Sequence, residues 1–295
     1  MRQEALNISI VFITMNRSTE LIRAIKSCLI QKDVCMEIVI IDNASTDDTE
    51  EQIRNLNIVH SNAKIRYIKL KKNLGVAGAR NIGFNKAKNE IVFFLDDDAV
   101  IEGEYFLKSI VLKFFEDSRC ACIAPYIIQP EDGKELIGDI FRSSKNTKEM
   151  FSFIGAAHAI RKTYYDKVKL YPEKLVFGSE ELYVSLYFRK RGFKIIYMDE
   201  LKVLHIPSTI NRYYGRERDY NINLNIYIIR KLFYPRILLP LLSFLFVIRS
   251  VKNRCFWPTR IIKDYKIRYN KNDMDKMNFR QFFSLLNNVP FWRII

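Results

Sequence analysis

The sequence lacks both of the glycine-rich motifs that most often bind nucleotides. A dinucleotide-binding fold needs G-x-G-x-x-G in its first strand-to-helix turn, but that turn reads TMNRS at residues 14–18 and contains no glycine. Gly75, Gly78 and Gly83 follow a later strand at a different spacing, and no G-x-x-x-x-G-K-[ST] phosphate loop occurs in the chain. These absences argue against hydride transfer and against P-loop chemistry.

Cysteine is scarce, and the cysteines that are present form no recognisable pattern. The five are Cys28, Cys35, Cys120, Cys122 and Cys255. Their odd number and the lack of a C-x-x-C pair indicate neither a disulfide framework nor a zinc knuckle. Residues 1–7 run into a strand-like segment without an apolar signal region before it. Both observations favour a reducing compartment, and we expect a cytoplasmic protein.

Long hydrophobic runs are also missing. The longest apolar stretch covers the twelve residues 237–248 and includes Pro240 and Ser243. A membrane-spanning helix needs roughly 20 consecutive apolar residues. This stretch is therefore too short to cross a bilayer, although it is long enough to lie in a membrane surface.

Composition and charge divide the chain into two parts. With 48% hydrophobic residues and few glycines and prolines, the 295 residues can bury a substantial core and are not expected to be disordered. The net charge is +15. Residues 1–205 contain 31 Lys/Arg and 28 Asp/Glu, whereas residues 206–295 contain 17 and 5. The basic excess is therefore C-terminal, where it can meet the phosphates of nucleic acid or of anionic lipids.

Strands and helices alternate in the first hundred residues. Buried strands are predicted at residues 8–13, 36–41, 65–70 and 90–95. Helices are predicted from Ser18 and over residues 78–88, and Ser45 with Asp48 has the spacing of a capping box. This βαβαβαβ order predicts an α/β fold with a mostly parallel sheet, helices on both faces, and a ligand site beyond the carboxyl ends of the strands.

The second half of the sequence is less regular. Extended segments are predicted at residues 120–128, 133–141, 151–160, 193–198 and 201–206. Helices are predicted at residues 104–117 and 179–191, and the second of these has an amphipathic pattern. From about residue 209 the composition changes to tyrosine, arginine, asparagine and long aliphatic residues, so we place a boundary there.

Three adjacent carboxylates, Asp96, Asp97 and Asp98, follow the apolar run at residues 91–95. Like charges this close repel one another, so a cation is expected to neutralise them at the mouth of a buried strand. Because alternate side chains of a strand share a face, Asp96 and Asp98 are expected to address one ligand while Asp97 turns aside. Taken alone, the triplet fits equally well a solvated acidic loop that caps the next helix.

Five short motifs follow one another between residues 7 and 206. They are TMNR at 14–17, VIIDNASTD at 39–47, NLGVAGARNIG at 73–83, FLDDD at 94–98, and FGSEE at 177–181 with RKRGF at 189–193 and His205. Together they resemble the nucleotide-sugar glycosyltransferases of family 2, which have the GT-A fold and act with inversion. Each motif alone is weak, but their order argues against chance similarity.

The resemblance implies where a sugar donor binds. It places the nucleoside at Asp42, which could otherwise be a helix cap, and it implies Mn²⁺ or Mg²⁺ held by Asp98 and Asp96. His205 resembles a late ligand of that metal, although a buried structural histidine is the alternative. Arg80 fits a contact to the donor or to the acidic cluster, and a structural salt bridge fits nearly as well. The donor-binding residues expected on this basis are Thr14, Asn16, Arg17, Asp42, Asn43, Arg80, Asp96 and Asp97.

The resemblance places the general base on the second acid of the pair Glu180 and Glu181. An inverting transfer needs a base that deprotonates the acceptor hydroxyl, so Glu181 is the predicted base and Glu180 is expected to position the acceptor. At the start of a helix, these carboxylates could also simply stabilise the helix dipole.

The sequence departs from the family pattern at Tyr183 and Tyr187, where Asp and Arg are common. His158 falls in a segment that resembles the acceptor region, with a structural role equally plausible.

The resemblance also implies a domain organisation. Residues 1–208 would form the GT-A catalytic domain, with a nucleotide-binding half at about 1–100 and an acceptor half at about 101–208. Residues 209–295 would form a helical extension, whose basic and aromatic residues beside an apolar face are typical of an anionic membrane surface. Packing on the catalytic domain or in a homodimer is the alternative. We expect a peripheral location at the inner face of the cell membrane.

Three functions are compatible with these patterns. The first is transfer of a sugar from a UDP- or dTDP-sugar to a hydroxyl of a glycan, lipid-linked acceptor or surface polysaccharide, with no nucleic-acid partner. The second is a nucleotidyltransferase on a related fold, which would need a glycine-rich, basic loop where this chain has Met15, Asn16 and Arg17. The third is a non-catalytic basic module that binds membrane or nucleic acid, for which Asp98 and Glu181 would be dispensable.

Overall fold

The strands and helices predicted for the first hundred residues are present. The computed structural model describes residues 6–56, 63–136, 148–166, 169–175, 178–208 and 215–286. Its strands are β1 (Asn7–Thr14), β2 (Cys35–Asp42), β3 (Ala63–Lys69), β4 (Ile91–Leu95), β5 (Ala99–Ile101), β6 (Cys120–Gln129), β7 (Lys134–Glu135), β8 (Ala157–Arg161) and β9 (Lys194–His205). Its α-helices are α1 (Ser18–Leu29), α2 (Thr49–Arg54), α3 (Gly75–Lys86), α4 (Phe106–Glu116), α5 (Glu180–Lys190), α6 (Gly215–Phe233), α7 (Leu239–Lys252), α8 (Pro258–Arg268) and α9 (Phe279–Leu286).

The strands form one mixed sheet in the order β3-β2-β1-β4-β8-β6-β9-β5, with β7 beside β6. Strands β5, β7 and β8 run antiparallel to their neighbours, and the other pairs are parallel. This confirms the predicted mixed, mostly parallel sheet. Because β1, β2 and β4 are parallel, the residues that follow Thr14, Asp42 and Leu95 meet at one edge of the sheet.

Strand β1 shows how the sheet divides the core. Val11 packs on one face with residues of α3, α5 and α6, whereas Ile8, Ile10 and Phe12 pack on the other face with residues of α1 and α4. All four side chains are buried. A strand that is covered on both faces has a continuous apolar sequence instead of an alternating one. These strands could therefore be predicted from their apolar runs.

The predicted capping box at Ser45 and Asp48 is wrong. Helix α2 begins at Thr49, whose backbone N–H donates to the carboxylate of Asp47 at 3.2 Å. The Ser45 hydroxyl accepts a hydrogen bond from the backbone N–H of Asn16 at 2.9 Å. Ser45 therefore connects the turns after β1 and β2 and does not cap a helix.

Three predicted strands have different bounds. The strand expected at residues 151–160 is shortened to β8, and the strands expected at 193–198 and 201–206 are a single strand, β9. The pairing of β9 with β6 shifts register between Pro125 and Tyr126, which accommodates the polar residues that looked like a break in the sequence. The predicted hairpin arm at 133–141 begins as β7, and its residues from 137 onward lie outside the described residues.

Helix α5 is buried on all sides and is not amphipathic as predicted. Every residue from Leu182 to Phe188 is buried. The helices that follow β9 cover the face that would otherwise meet water: the Tyr183 and Phe233 rings lie 5.1 Å apart, and the Asn225 side chain donates to the carbonyl of Gly178 at 2.9 Å. A prediction from periodicity could not include this later layer.

Helices α6 to α9 confirm the predicted C-terminal helical extension. Their buried residues belong to the same hydrophobic core as α3, α5 and one face of the sheet. The predicted boundary at residue 209 lies in 209–214, outside the described residues, so the division into domains stays a prediction. Among the helices described, none combines the length and apolarity that a membrane span needs.

Replacing Ile228 with alanine should lower the free energy of unfolding by about 2–5 kcal/mol, because this fully buried side chain of α6 would leave a cavity in the shared core. Ile262→Ala is the matched control: its side chain is 58% exposed on α8, so a change within about 0.5 kcal/mol is expected. Urea denaturation of both variants measures the difference. Similar losses in both would contradict a core shared by the extension and the sheet.

Candidate functional site

Two asparagines connect the loops at the carboxyl ends of the first three strands. Asn16, which has a positive φ of 56°, accepts a hydrogen bond from the backbone N–H of Thr46 at 2.7 Å. Asn43 accepts from the backbone N–H of Leu74 and donates to the side chain of Asn73, both at 2.8 Å. The three loops therefore form one continuous rim. Both asparagines were predicted to bind a donor, and the structure also gives them this connecting role.

Asp42 lies at the same edge and is fully buried. One of its carboxylate oxygens accepts from the backbone N–H of Ser45 at 2.7 Å, and the other accepts from the hydroxyl of Tyr67 on β3. Burial, and then the hydrogen bond and charge of Asp42, raise the pKa of Tyr67. Tyr67 was not predicted as a site residue, because it reaches Asp42 only through the pairing of β2 with β3, which is a tertiary contact.

The acidic triplet divides as predicted, but its residues stand in the turn between β4 and β5, where the backbone N–H of Ala99 donates to the carbonyl of Asp96 at 3.1 Å, and not in a strand. Asp97 turns away from its neighbours and is 2.9 Å from the guanidinium of Arg17, beside the buried end of β1 at Thr14. Burial raises the pKa of Asp97 to about 7 against the opposing charge of Arg17. Arg17 was predicted to contact a donor, and in this structure it also lies 3.6 Å from Asp98.

Asp96, Asp98 and His205 form a cluster of metal-ligand type. One potential ligand atom from each residue lies within 4.8 Å of the others. The pairing of β5 with β9 explains this, since Ala99 stands opposite His205 and so places Asp98 beside the imidazole, with Nε2 to Oδ1 at 3.2 Å. Burial alone raises the pKa of Asp98, but His205 and the Ser208 backbone N–H outweigh it and lower that pKa.

The chemistry of this cluster fits a divalent cation. Two carboxylates and an imidazole are the oxygen and nitrogen ligands that Mn²⁺ accepts, and carboxylates also suit Mg²⁺. The Nδ1 atom of His205 is buried and has no hydrogen-bond partner among the described residues. A histidine held by one carboxylate, with a buried nitrogen still to be satisfied, is compatible with ligation. The three residues predicted as metal ligands are thus brought together.

Arg80 joins this cluster to the predicted base. Its guanidinium is 3% exposed and lies 2.8 Å from Asp96, 3.4 Å from Glu180 and 3.6 Å from Glu181. It also donates to the carbonyl of Gly155 at 2.9 Å. Burial alone lowers the pKa of Arg80, but the carboxylates, Asp96 foremost, raise it and keep the side chain charged. Arg80 thus makes the predicted contact with the acidic cluster and forms salt bridges inside the candidate site.

Glu180 and Glu181 open α5, as predicted, and point toward Arg80. Burial, and next the adjacent Glu180 carboxylate, raise the pKa of Glu181 to about 8 against the attraction of Arg80. Gly155 packs directly on this carboxylate: a Cβ added there would lie 2.0 Å from Oε1 of Glu181 and 3.0 Å from Nη1 of Arg80. The absent side chain at Gly155 thus leaves the space that the carboxylate occupies.

A buried aromatic layer supports Arg80 from behind. The Arg80 guanidinium lies 5.6 Å from the centre of the Tyr171 ring, and the Tyr171 hydroxyl is 2.5 Å from Nε2 of His158. His158 is completely buried, and burial lowers its pKa well below the ordinary value. His158 therefore supports the site from the core. Tyr171 was missed, since its neighbours in the sequence show no motif.

The two tyrosines that depart from the family pattern face away from the candidate base. Tyr183 packs on Phe233 of α6. Tyr187 donates to the carboxylate of Asp166, and the Arg191 guanidinium lies 3.6 Å from its ring centre. Both side chains are buried. These substitutions therefore stabilise the packing of α5 and do not by themselves define an acceptor pocket.

Comparisons with known proteins agree with this geometry. The family model described as Glycosyl transferase family 2 matches residues 9–169. An uncharacterized glycosyltransferase of Rickettsia conorii is 39% identical over 122 residues, which are 40% of this chain and 19% of the relative. The GalNAc(5)-diNAcBac-PP-undecaprenol beta-1,3-glucosyltransferase of Campylobacter jejuni is 29% identical over 192 residues, or 62% of this chain and 60% of the relative. The chain thus covers less than two thirds of either relative.

The fold has a counterpart among solved structures. GalNAc-T7 in complex with UDP, GalNAc and Mn²⁺ superposes with a TM-score of 0.65 at 18% identity, covering 98% of this chain and 59% of that one. At this identity the likeness concerns the fold, and it confirms the predicted GT-A architecture. The sequence match extends over more than half of the chain and includes four of the five motifs that line the candidate site. The chain therefore belongs to glycosyl transferase family 2.

Proposed function

We propose that this protein is a metal-dependent inverting glycosyltransferase that moves a sugar from a nucleoside diphosphate to a hydroxyl acceptor. The observation that carries the proposal is the position of Arg80, which contacts both the Asp96 carboxylate of the metal-ligand cluster and the carboxylates of Glu180 and Glu181. A departing diphosphate and an attacking hydroxyl must lie on opposite sides of one anomeric carbon. The ligand cluster and the candidate base both lie within 3.6 Å of this one side chain, which is close enough for them to act on the same anomeric carbon.

The donor would bind along the loop rim and the acidic cluster. Asp96, Asp98 and His205 would hold Mn²⁺ or Mg²⁺, which when bound supplies Lewis-acid stabilisation of the charge on the departing diphosphate. Asp42 would select the nucleoside through hydrogen bonds at the rim, for which it must exchange a bond with Ser45 or Tyr67. The remaining donor contacts would come from Thr14, Asn16, Arg17, Asn43, Arg80 and Asp97.

Glu181 would act as the general base. Its carboxylate accepts the proton of the acceptor hydroxyl while that oxygen forms a bond to the anomeric carbon. The bond from the anomeric carbon to the diphosphate oxygen breaks on the opposite side, and the diphosphate leaves with the bonding electrons. Glu180 would orient the acceptor. Because its pKa is raised by burial, Glu181 binds the proton more strongly than an exposed carboxylate would.

The acceptor is proposed to be a glycan or lipid-linked hydroxyl, and the donor a UDP- or dTDP-sugar. The Campylobacter jejuni relative, by its name, transfers glucose to an undecaprenol-linked glycan, and the GalNAc-T7 structure contains UDP and Mn²⁺. Such an acceptor would place the enzyme on the cytoplasmic face of a membrane. Membership of a glycosyltransferase family disfavours the nucleotidyltransferase and the non-catalytic module. In addition, neither of these functions would need Glu181 beside the ligand cluster.

Asp98→Asn should abolish metal-dependent binding of a nucleoside diphosphate. In the native protein, UDP or dTDP with Mn²⁺ should raise the melting temperature, because a ligand at about 100 times its Kd stabilises the folded state by about 2.7 kcal/mol. The asparagine keeps the shape of the side chain but removes an anionic ligand. Thermal-shift measurements with and without Mn²⁺ test this.

Asp97→Asn is the matched control for that experiment. Asp97 faces Arg17 and lies outside the ligand cluster, so Asp97→Asn should still give a larger shift with Mn²⁺ than without it, even where the loss of a donor contact lowers both shifts. If both variants lose the shift, or the native protein shows none with any nucleoside diphosphate, the assignment of the cluster is wrong.

Glu181→Gln should reduce kcat at least about 100-fold while UDP and Mn²⁺ still bind, because the amide cannot accept the acceptor proton. In the native enzyme, kcat/KM should rise with pH through about 8, since a base must lose its own proton before it can act. In Glu180→Gln, this rise should move to lower pH, because a negative neighbour that raises the pKa of Glu181 is gone. An unchanged profile in Glu180→Gln would contradict the assignment of the titrating group.

Gly155→Ala should lower kcat up to about 100-fold with little effect on donor binding, because the new methyl group displaces the Glu181 carboxylate. Glu181 can rotate away at small cost, so the protein should fold normally by circular dichroism. The double variant with Glu181→Gln is the control: once the base is absent, the methyl group should cause no further loss. Additive losses would mean that Gly155 acts on something other than the base.

A further inference from the structure

Helix α7 exposes a continuous apolar stripe. Ile237, just before the helix, is followed by Leu241, Phe244, Ile248 and Val251, and the exposed fractions of these five side chains lie between 37% and 72%. Their spacing of four and three residues puts them on one face of a helix. These residues are called the α7 stripe below. The opposite face of α7 carries its buried residues, Leu242 and Ser250. The stripe is therefore directed away from the core.

Basic residues border the stripe, and acidic residues are absent from it. Between residues 236 and 256 the chain has four basic residues and no Asp or Glu. These are Arg236, Arg249, Lys252 and Arg254, all of which are exposed. An apolar face with a purely cationic border is the pattern of a helix that lies in the interface of an anionic bilayer.

A narrow cleft between α6 and α7 brings a further arginine close to the basic border. Arg230 of α6 and Arg249 of α7 line this cleft together with Tyr227 and Phe246. Guanidinium groups match lipid phosphate oxygens in geometry and charge, and aromatic rings suit the zone between lipid head groups and acyl chains.

We propose that the α7 stripe and its basic border dock the protein on an anionic lipid bilayer, with α7 parallel to the membrane plane. A second copy of the chain is the competing occupant of an apolar stripe. A two-fold contact would bring the same patch of both copies together, so the two basic borders would repel each other without an acidic partner in 236–256. The proposal does not depend on the transfer reaction, since α7 packs behind α6 and contributes no residue to the candidate site.

Flotation of the full chain with lipid vesicles tests the proposal. We expect binding to phosphatidylcholine vesicles that contain about 30% phosphatidylglycerol, and little binding to pure phosphatidylcholine. Binding should fall as NaCl rises from about 50 to 500 mM, because the electrostatic attraction is screened. Equal binding to both vesicles, or none to either, would overturn the proposal.

Two sets of variants separate the apolar and the basic contributions. Phe244→Glu should weaken vesicle binding at least about tenfold, because a charge replaces a ring in the acyl region. Phe115→Glu is the control, since Phe115 on α4 is 64% exposed and Phe244 is 63% exposed. Arg249→Gln with Lys252→Gln should weaken vesicle binding about fivefold per charge. Lys64→Gln with Lys72→Gln is the control, because these exposed lysines are far from α7 in the sequence and their loss should leave vesicle binding unchanged.

Oligomeric state and nucleotide binding complete the test. If the native chain is a dimer that Phe244→Glu converts to a monomer without any change in vesicle binding, the stripe is a contact between copies and the proposal is wrong. The variants should retain the thermal shift with UDP and Mn²⁺ if the transfer site is as proposed. A failure of that shift in the native chain would count against the transfer function and would leave the vesicle result to stand separately.

Discussion

The arrangement of the candidate site depends on one buried positive charge. Arg80 is almost completely removed from water, and a buried charge is tolerated when anionic partners and hydrogen bonds surround it. Its partners come from distant parts of the chain: Asp96 follows β4, Glu180 and Glu181 open α5, and the carbonyl of Gly155 precedes β8. Satisfying this one guanidinium therefore requires the sheet, the turn before β8 and α5 to come together.

The C-terminal helices support α5 from the side opposite the candidate site. The helix that presents the glutamate pair would expose Leu182 to Phe188 in part if α6 did not cover it. The pair itself stands half-buried in the first turn of α5, and burial there raises the pKa of Glu181 to about 8, so that Glu181 holds its proton more tightly than an exposed carboxylate. The extension thus holds in place the helix that presents the glutamate pair, while the exposed face of α7 remains available for a different contact.

Sequence patterns predicted those features that short segments determine. The parallel strands read as apolar runs. The acidic triplet was correctly expected to divide between Asp97 and its neighbours, although a turn between β4 and β5 separates them and not the period of a strand. Tyr67, Tyr171 and Gly155 could not be predicted, because each acts through a contact between residues at least 25 positions apart. For the same reason Ser45 was misassigned, since its partner Asn16 belongs to another loop.

The rim of hydrogen bonds at Asn16 and Asn43 also limits how this scaffold can change. Each asparagine uses its backbone or side chain to hold a loop other than its own, so the three loops share their bonds. Altering one loop to suit another nucleobase would leave polar groups of a second loop without hydrogen bonds. Each such group that is buried would lower the stability of the fold by about 1–3 kcal/mol. New nucleotide preferences in this scaffold should therefore arise through concerted substitutions in two or more loops, and single replacements should mostly reduce stability.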